Sequence, residues 1–149
     1  MYNGYVRLVS SEAWMERTTS APSPTAAATP RAGRITAGNG DRATFGGGAR
    51  SDAAGNVEGQ EQYRDHGPAE PQRVKSIRIL ALTCDQAGRR ATIIGEATVD
   101  GSGTHAFQID VQDLGEPGRG VDTYRIVLDT GYDSGAQALA GGNVQIHGP

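Results

Sequence analysis

The sequence is poor in several residue types that mark familiar functional classes. It contains one cysteine among 149 residues, so a disulfide bond within the chain is excluded. That residue, Cys84, stands between Thr83 and Asp85, without a basic neighbour that would favour a thiolate. We interpret it as a small core residue rather than a reactive thiol. Aromatic residues make up only 5% of the chain, which argues against a broad stacking surface.

Charge of one sign and long apolar runs are also lacking. Acidic and basic residues are interspersed, and the formal net charge is -3. Without a basic block that could neutralise phosphates, nucleic-acid binding is not expected. No apolar run approaches the roughly 18 residues of a membrane span, so membrane insertion is not expected either. Residues 1–17 lack the charged and apolar regions of a secretory signal, so the chain is either cytoplasmic or a piece of a longer exported precursor, and we favour the second interpretation.

Glycine, in contrast, is abundant, and its distribution divides the chain. The 22 glycines are well above the usual share of about 7% and follow no collagen period, which predicts many turns between short strands. Residues 1–17 are interpreted as a remnant of a preceding domain or as a mistaken start of the reading frame. Residues 18–33 are a Thr/Ser/Ala/Pro-rich linker, predicted to be extended and mobile. Residues 34–147 are predicted to form the folded domain.

From residue 34 onward, apolar and polar residues alternate in runs that are separated by turns. A period of two predicts β-strands, and the strongest runs lie at 74–83, 91–100, 107–112, 123–129 and 143–147. Residues 57–65 alternate too but are largely polar, which favours an edge strand. Because the connections are short, neighbouring strands should be antiparallel. We predict an all-β antiparallel meander of about seven or eight strands, either a sandwich or a barrel, behind a disordered N-terminal stalk.

Alternation also predicts which side chains form the core. In the run 74–83, it places Ile77, Ile79 and Ala81 on one face. Ser76 and Arg78 lie on the other face, to which Leu80 and Leu82 add apolar surface. The same rule predicts that the larger apolar residues of the next three runs face the core, among them Ile93, Ile109 and Ile126.

Several strings of this domain together resemble a known family. In order along the chain they are QYRDHG (62–67), ATIIGEATVDGSG (91–103), FQIDVQDLGEPG (107–118), DTYRI (122–126) and GGNVQIH (141–147). They are similar to the post-COAP domain family, small β-domains toward the C-terminal end of bacterial secreted and cell-surface proteins. The resemblance covers roughly residues 34–147 and implies an extracellular accessory module. It carries over no catalytic residue.

An acidic cluster is the best candidate for a metal site. Asp110, Asp113, Glu116 and Asp122 surround one predicted turn. Calcium takes six to eight hard oxygen ligands, which loops of extracellular β-domains often supply. The spacing matches no recognised calcium loop, and acidic residues in turns also accept hydrogen bonds from their own backbone. Both interpretations, a calcium site and a structural role, stay open; no other cofactor is predicted.

Residue types found in hydrolases are present without the spacing that catalysis needs. Asp65, His66 and Ser76 contain the types of a catalytic triad, but no glycine-flanked nucleophile accompanies them. His105 and His147 stand far from His66 in sequence, at no zinc-like spacing. We therefore predict that the protein is not an enzyme.

Binding remains an alternative to a purely structural role. Tyr63, Tyr124, Tyr132 and Phe45 could stack against a sugar, although Tyr124 and Phe45 occupy positions that should face the core. The sequence thus favours an extracellular or cell-surface structural or interaction module. Its expected partners are other domains of the same surface protein or cell-envelope components. The alternative is a carbohydrate- or small-ligand-binding β-domain, with or without bound calcium.

Overall fold

The computed structural model describes residues 26–30, 32–85, 87 and 89–147. It confirms the all-β antiparallel fold, with ten strands rather than about seven or eight. In chain order the strands are β1 (Ala26–Pro30), β2 (Gly33–Thr36), β3 (Arg42–Ser51), β4 (Val57–Asp65), β5 (Gln72–Asp85), β6 (Arg90–Val99), β7 (Ser102–Gln112), β8 (Thr123–Leu128), β9 (Gln137–Ala138) and β10 (Val144–His147).

The strands form one curled sheet in the order β10-β1-β3-β4-β5-β6-β7-β8-β9, with β2 beside β3. Strand β1 differs from the expectation, because Ala26–Pro30 falls within the predicted linker but lies between β10 and β3. The predicted remnant 1–17 and the linker up to residue 25 lie outside the described residues.

The curl brings the segment that follows β9 to strand β2. The Arg34 N–H donates to the Gly141 carbonyl at 3.0 Å, and the Ala140 N–H donates to the Arg34 carbonyl at 2.8 Å. The inner face of the sheet therefore encloses a single core. Ile93, Ile109 and Ile126 are buried there, as alternation predicts.

Strand β5 departs from strict alternation because its pairing with β6 contains two bulges, one at Ile77 and one at Leu80. Each bulge adds one residue and so reverses the face of the residues that follow. Ile79 and Leu82 point into the core, whereas Ile77 and Leu80 are 47% and 54% exposed. The prediction that Ile77, Ile79 and Ala81 share one face is therefore wrong.

Strand β4 is not the edge strand that its polar sequence suggests. It pairs along its whole length with β3 and, over Gln62–Asp65, with β5. Its inner face carries Glu61, Tyr63 and Asp65, all buried. The prediction that β4 is an edge strand is wrong, because the polar side chains of its inner face are buried in the core.

Candidate functional site

Two members of the predicted calcium cluster bind the backbone of the last strand. Asp122 is fully buried; its Oδ1 accepts from the N–H groups of Leu114 at 2.8 Å and Gly115 at 3.2 Å, and its Oδ2 from Val144 at 3.0 Å. Asp122 thereby ties the loop after β7 to the start of β10.

Asp113 makes a similar contact two residues further along β10. Its Oδ2 accepts from the Ile146 N–H at 3.1 Å, and Arg89 Nη2 lies 3.5 Å from its Oδ1. Asp113 and Asp122 thus bind amides of β10 that lie two residues apart, where a neighbouring strand would otherwise supply acceptors.

Asp110 and Glu116 make other contacts. Asp110 accepts from the Thr92 hydroxyl at 2.6 Å and the Gln108 amide at 3.0 Å. Glu116 is exposed, and its Oε1 is 3.5 Å from the Gln145 amide nitrogen. Within the described ranges, no three or more His, Cys, Asp or Glu side chains are grouped so that they could hold a metal ion. Calcium binding by the four residues stays a prediction.

The residue types of a triad are separated by the fold. Asp65 points into the core, whereas the next residue, His66, is exposed and its Nε2 lies 3.0 Å from the Thr44 hydroxyl. The Ser76 hydroxyl accepts the N–H of Glu61 at 2.9 Å. Each of the three side chains therefore has a different hydrogen-bond partner.

The remaining histidines lie on the surface. His105 Nδ1 is 3.0 Å from Asp129 Oδ1, and the Ala106 N–H together with His105 lowers the pKa of that carboxyl. His147 is exposed at the end of β10.

The four aromatic residues considered for stacking fill the core instead. Phe45 and Tyr124 stack with ring centroids 4.1 Å apart, and Tyr63 lies parallel to Tyr124 at 6.0 Å. Tyr132 packs against Tyr63 at an angle. None of the four is more than 4% exposed, so they offer no surface to a sugar ring.

Their hydroxyl groups extend into a buried network that the sequence did not reveal. The Tyr63 and Tyr132 hydroxyl oxygens are 2.6 Å apart, and Tyr132 donates to Asp65 at 2.8 Å. Asn39 and the Gly67 N–H also donate to Asp65. Burial raises the pKa of Tyr63 to about 12, so Tyr63 is a neutral hydroxyl at pH 7.

A second buried polar pair has no such partners. Both carboxyl oxygens of Glu61 and the hydroxyl of Tyr124 are buried and make no hydrogen bond with any described residue. Burial raises the pKa of Glu61 to about 9, so its carboxyl is neutral at pH 7. Burial and the nearby Glu61 raise the pKa of Tyr124 well above its ordinary value. Sequence reasoning missed Glu61 because it lies in the strand that was interpreted as an edge.

The outer face of β5 and β6 carries what we call the bulge patch, formed by Ile77, Leu80 and Ile94. These side chains are 47%, 54% and 39% exposed. An ion pair between Arg78 and Glu96, at 2.8 Å, lies on the same two strands. The two bulges are what turn Ile77 and Leu80 outward.

An open groove of about 430 Å³ lies where three connections meet at one end of the sheet. Glu70 lines it from the β4–β5 connection and Gln72 from the start of β5. Asp100 lines it from the β6–β7 turn, and Thr130 and Tyr132 from the loop after β8. Its lining is rich in hydrogen-bond acceptors, which suits a ligand with hydroxyl groups.

Comparisons with protein-family models, with curated proteins and with solved structures find no match to this chain. The resemblance described from the sequence strings therefore stays an expectation. In the described part of the chain, no helix is both long and apolar enough to cross a membrane.

Proposed function

We propose that this chain is a non-catalytic interaction module of a larger surface or secreted protein. The observation that carries the proposal is the bulge patch, where Ile77, Leu80 and Ile94 leave apolar surface exposed on two adjacent strands. Apolar side chains grouped on an otherwise polar surface are typical of protein–protein contacts.

The contacts of the chemically versatile residues support the same proposal. Asp113 and Asp122 hold the last strand through its amides. Asp65 belongs to the buried tyrosine network, and Ser76 accepts a backbone N–H. A scaffold in which these side chains stabilise the fold suits a module that acts through its surface.

The proposed setting is extracellular or on the cell surface of a bacterium. It depends on the resemblance to the post-COAP family and on the linker composition of residues 18–33. The proposed partners are other domains of the same protein or components of the cell envelope.

Substitution of the bulge patch tests the proposal. The double variant I77S/L80S should cosediment with isolated cell envelopes of the source organism at least about tenfold more weakly than the wild type, because each apolar side chain contributes roughly 1.5–3 kcal/mol when fully buried. Both residues are exposed, so the free energy of unfolding should change little.

Leu114→Ser is the matched control, because Leu114 is 47% exposed but lies outside the patch. It should bind as the wild type does. Equal binding by the double variant and the control, or no binding by the wild type, would contradict the proposal.

A second candidate is carbohydrate or small-ligand binding. The groove lined by Glu70, Gln72 and Asp100 favours it, because carboxylate and amide groups bind sugar hydroxyls. Tyr132 also lines the groove, although its ring is almost fully buried.

A further inference from the structure

Glu61 lies at the place where strands β4 and β5 stop pairing. Their ladder covers Gln62–Asp65 and Gln72–Lys75. One residue beyond its end, the Ser76 hydroxyl, rather than a backbone carbonyl, accepts the Glu61 N–H. The backbone pairing of the two strands therefore ends beside this buried carboxyl, and we call this place the β4–β5 junction.

The neighbours of Glu61 offer no compensating charge. On β3 it faces Gly47, which has no side chain, and on β5 it lies beside Ser76. Tyr124 approaches from β8, and Tyr63 is the next inward residue of β4. Burial alone raises the pKa of Glu61, without a contribution from any charged group.

The charged residues of β5 nearest to the junction do not change this picture. Lys75 and Arg78 are exposed on the outer face of the sheet, and Arg78 pairs there with Glu96. An ionised Glu61 would thus be a buried charge without an ion-pair partner, an arrangement that costs several kcal/mol in proteins.

We propose that Glu61 makes the β4–β5 junction sensitive to pH: the junction is closed while the Glu61 carboxyl holds its proton and opens to water when the proton is lost. Opening exposes the carboxylate to solvent, where the charge is stable. Acidification therefore tightens the junction, and a rise in pH loosens it.

The direction and range of this response follow from proton linkage. The closed state has a Glu61 pKa of about 9, whereas a solvent-exposed glutamate has one of about 4.5. Between these values the closed state binds one proton more than the open state. The opening equilibrium should therefore rise about tenfold for each pH unit from about pH 5 to pH 9, and level off outside that range.

Hydrogen–deuterium exchange of the whole chain, measured between about pH 5 and pH 9, tests this. After correction for the intrinsic exchange rate, amides in residues 57–62 and 76–81 should lose protection by about tenfold per pH unit in the wild type. The variant E61Q keeps the shape of the side chain but cannot ionise, so its protection should not depend on pH.

Glu58→Gln is the matched control, because Glu58 lies on the same strand but is exposed and paired with Arg50. It should show the pH dependence of the wild type. A wild type without pH dependence at the junction, or E61Q with the wild-type slope, would overturn the proposal.

A measurement on the wild type keeps the test independent of whether E61Q folds. The side-chain carboxyl carbon of Glu61, followed by nuclear magnetic resonance, should titrate with a midpoint well above 4.5 and no higher than about 9, because opening at lower pH releases the proton earlier. A midpoint of about 4.5 would show an ordinary carboxyl and would also overturn the proposal.

Discussion

At the scale of single residues, buried carboxyl groups in this protein have three different roles. Asp122 accepts three backbone N–H groups and joins a loop to a strand. Asp65 accepts from Tyr132, Asn39 and Gly67. Glu61 has no described partner and stays neutral through its raised pKa. Residue type alone does not separate these roles, because the partner groups come from distant strands.

Replacement of Asp122 by asparagine should destabilise the protein strongly. The amide of D122N keeps one acceptor oxygen and turns an NH₂ group toward a backbone N–H, so at least one buried donor loses its partner. We expect the free energy of unfolding to fall by about 2–4 kcal/mol in urea denaturation.

Asp110 provides the comparison for that experiment. Its carboxylate is partly exposed and binds only side chains, those of Thr92 and Gln108. D110N should cost less than about 1 kcal/mol. Equal losses for the two variants would show that the three amide contacts of Asp122 are not what stabilises this region.

At the scale of strands, the close approach of β3 and β4 depends on glycine. Gly47 has a φ of +127°, and a Cβ built there would lie 2.2 Å from the Gln60 carbonyl oxygen. The positive φ of Gly47 and the position of the Gln60 carbonyl are both features of the backbone. Neither can change without breaking the pairing of Gly47 with Glu61. Gly47 is therefore a packing requirement of the sheet.

We expect Gly47→Ala to cost about 3 kcal/mol or more, because a steric clash adds to the strain of the positive φ. Gly40→Ala, at a φ of +92° with nothing within 4 Å of the new Cβ, should cost only about 1 kcal/mol. Thermal unfolding of both variants checks the difference. If both cost the same, the positive φ alone would account for the effect.

The strands also show how far the sequence could predict this fold. Alternation identified the inward faces of β6, β7 and β8, as the burial of Ile93, Ile109 and Ile126 confirms. It failed in β5, because a bulge is set by the pairing with β6 and leaves no mark in the period of two. The bulge patch, which carries the proposed function, is therefore visible only in the structure.

The candidate sites were less predictable than the fold. Asp113 and Asp122 were selected for their acidity, but their contacts with β10 require knowing which strand lies beside them. Glu61 was passed over because a polar strand is normally placed at an edge. Long-range pairing, rather than local sequence, decides both cases.

At the scale of the whole molecule, thermal unfolding distinguishes the remaining ligand hypotheses. Because Asp113 and Asp122 already accept backbone N–H groups, we expect the same melting temperature in millimolar calcium and in chelator. A calcium site filled at 100-fold excess over its Kd would instead add about 2.7 kcal/mol to the free energy of unfolding, which raises the melting temperature by roughly 10 °C.

A saccharide that raises the melting temperature of the wild type but not of an E70A variant would favour the groove as a binding site.

The contacts of Asp113 and Asp122 with β10 also bear on how this protein behaves at high concentration. A terminal strand with bare amides invites a strand from another molecule, and repeated addition of this kind produces fibres. Here two carboxylates occupy the Val144 and Ile146 amides, so this edge of the sheet has fewer free N–H groups to offer a strand of another molecule. We therefore expect the aspartates that hold the last strand in place to disfavour edge-to-edge association as well.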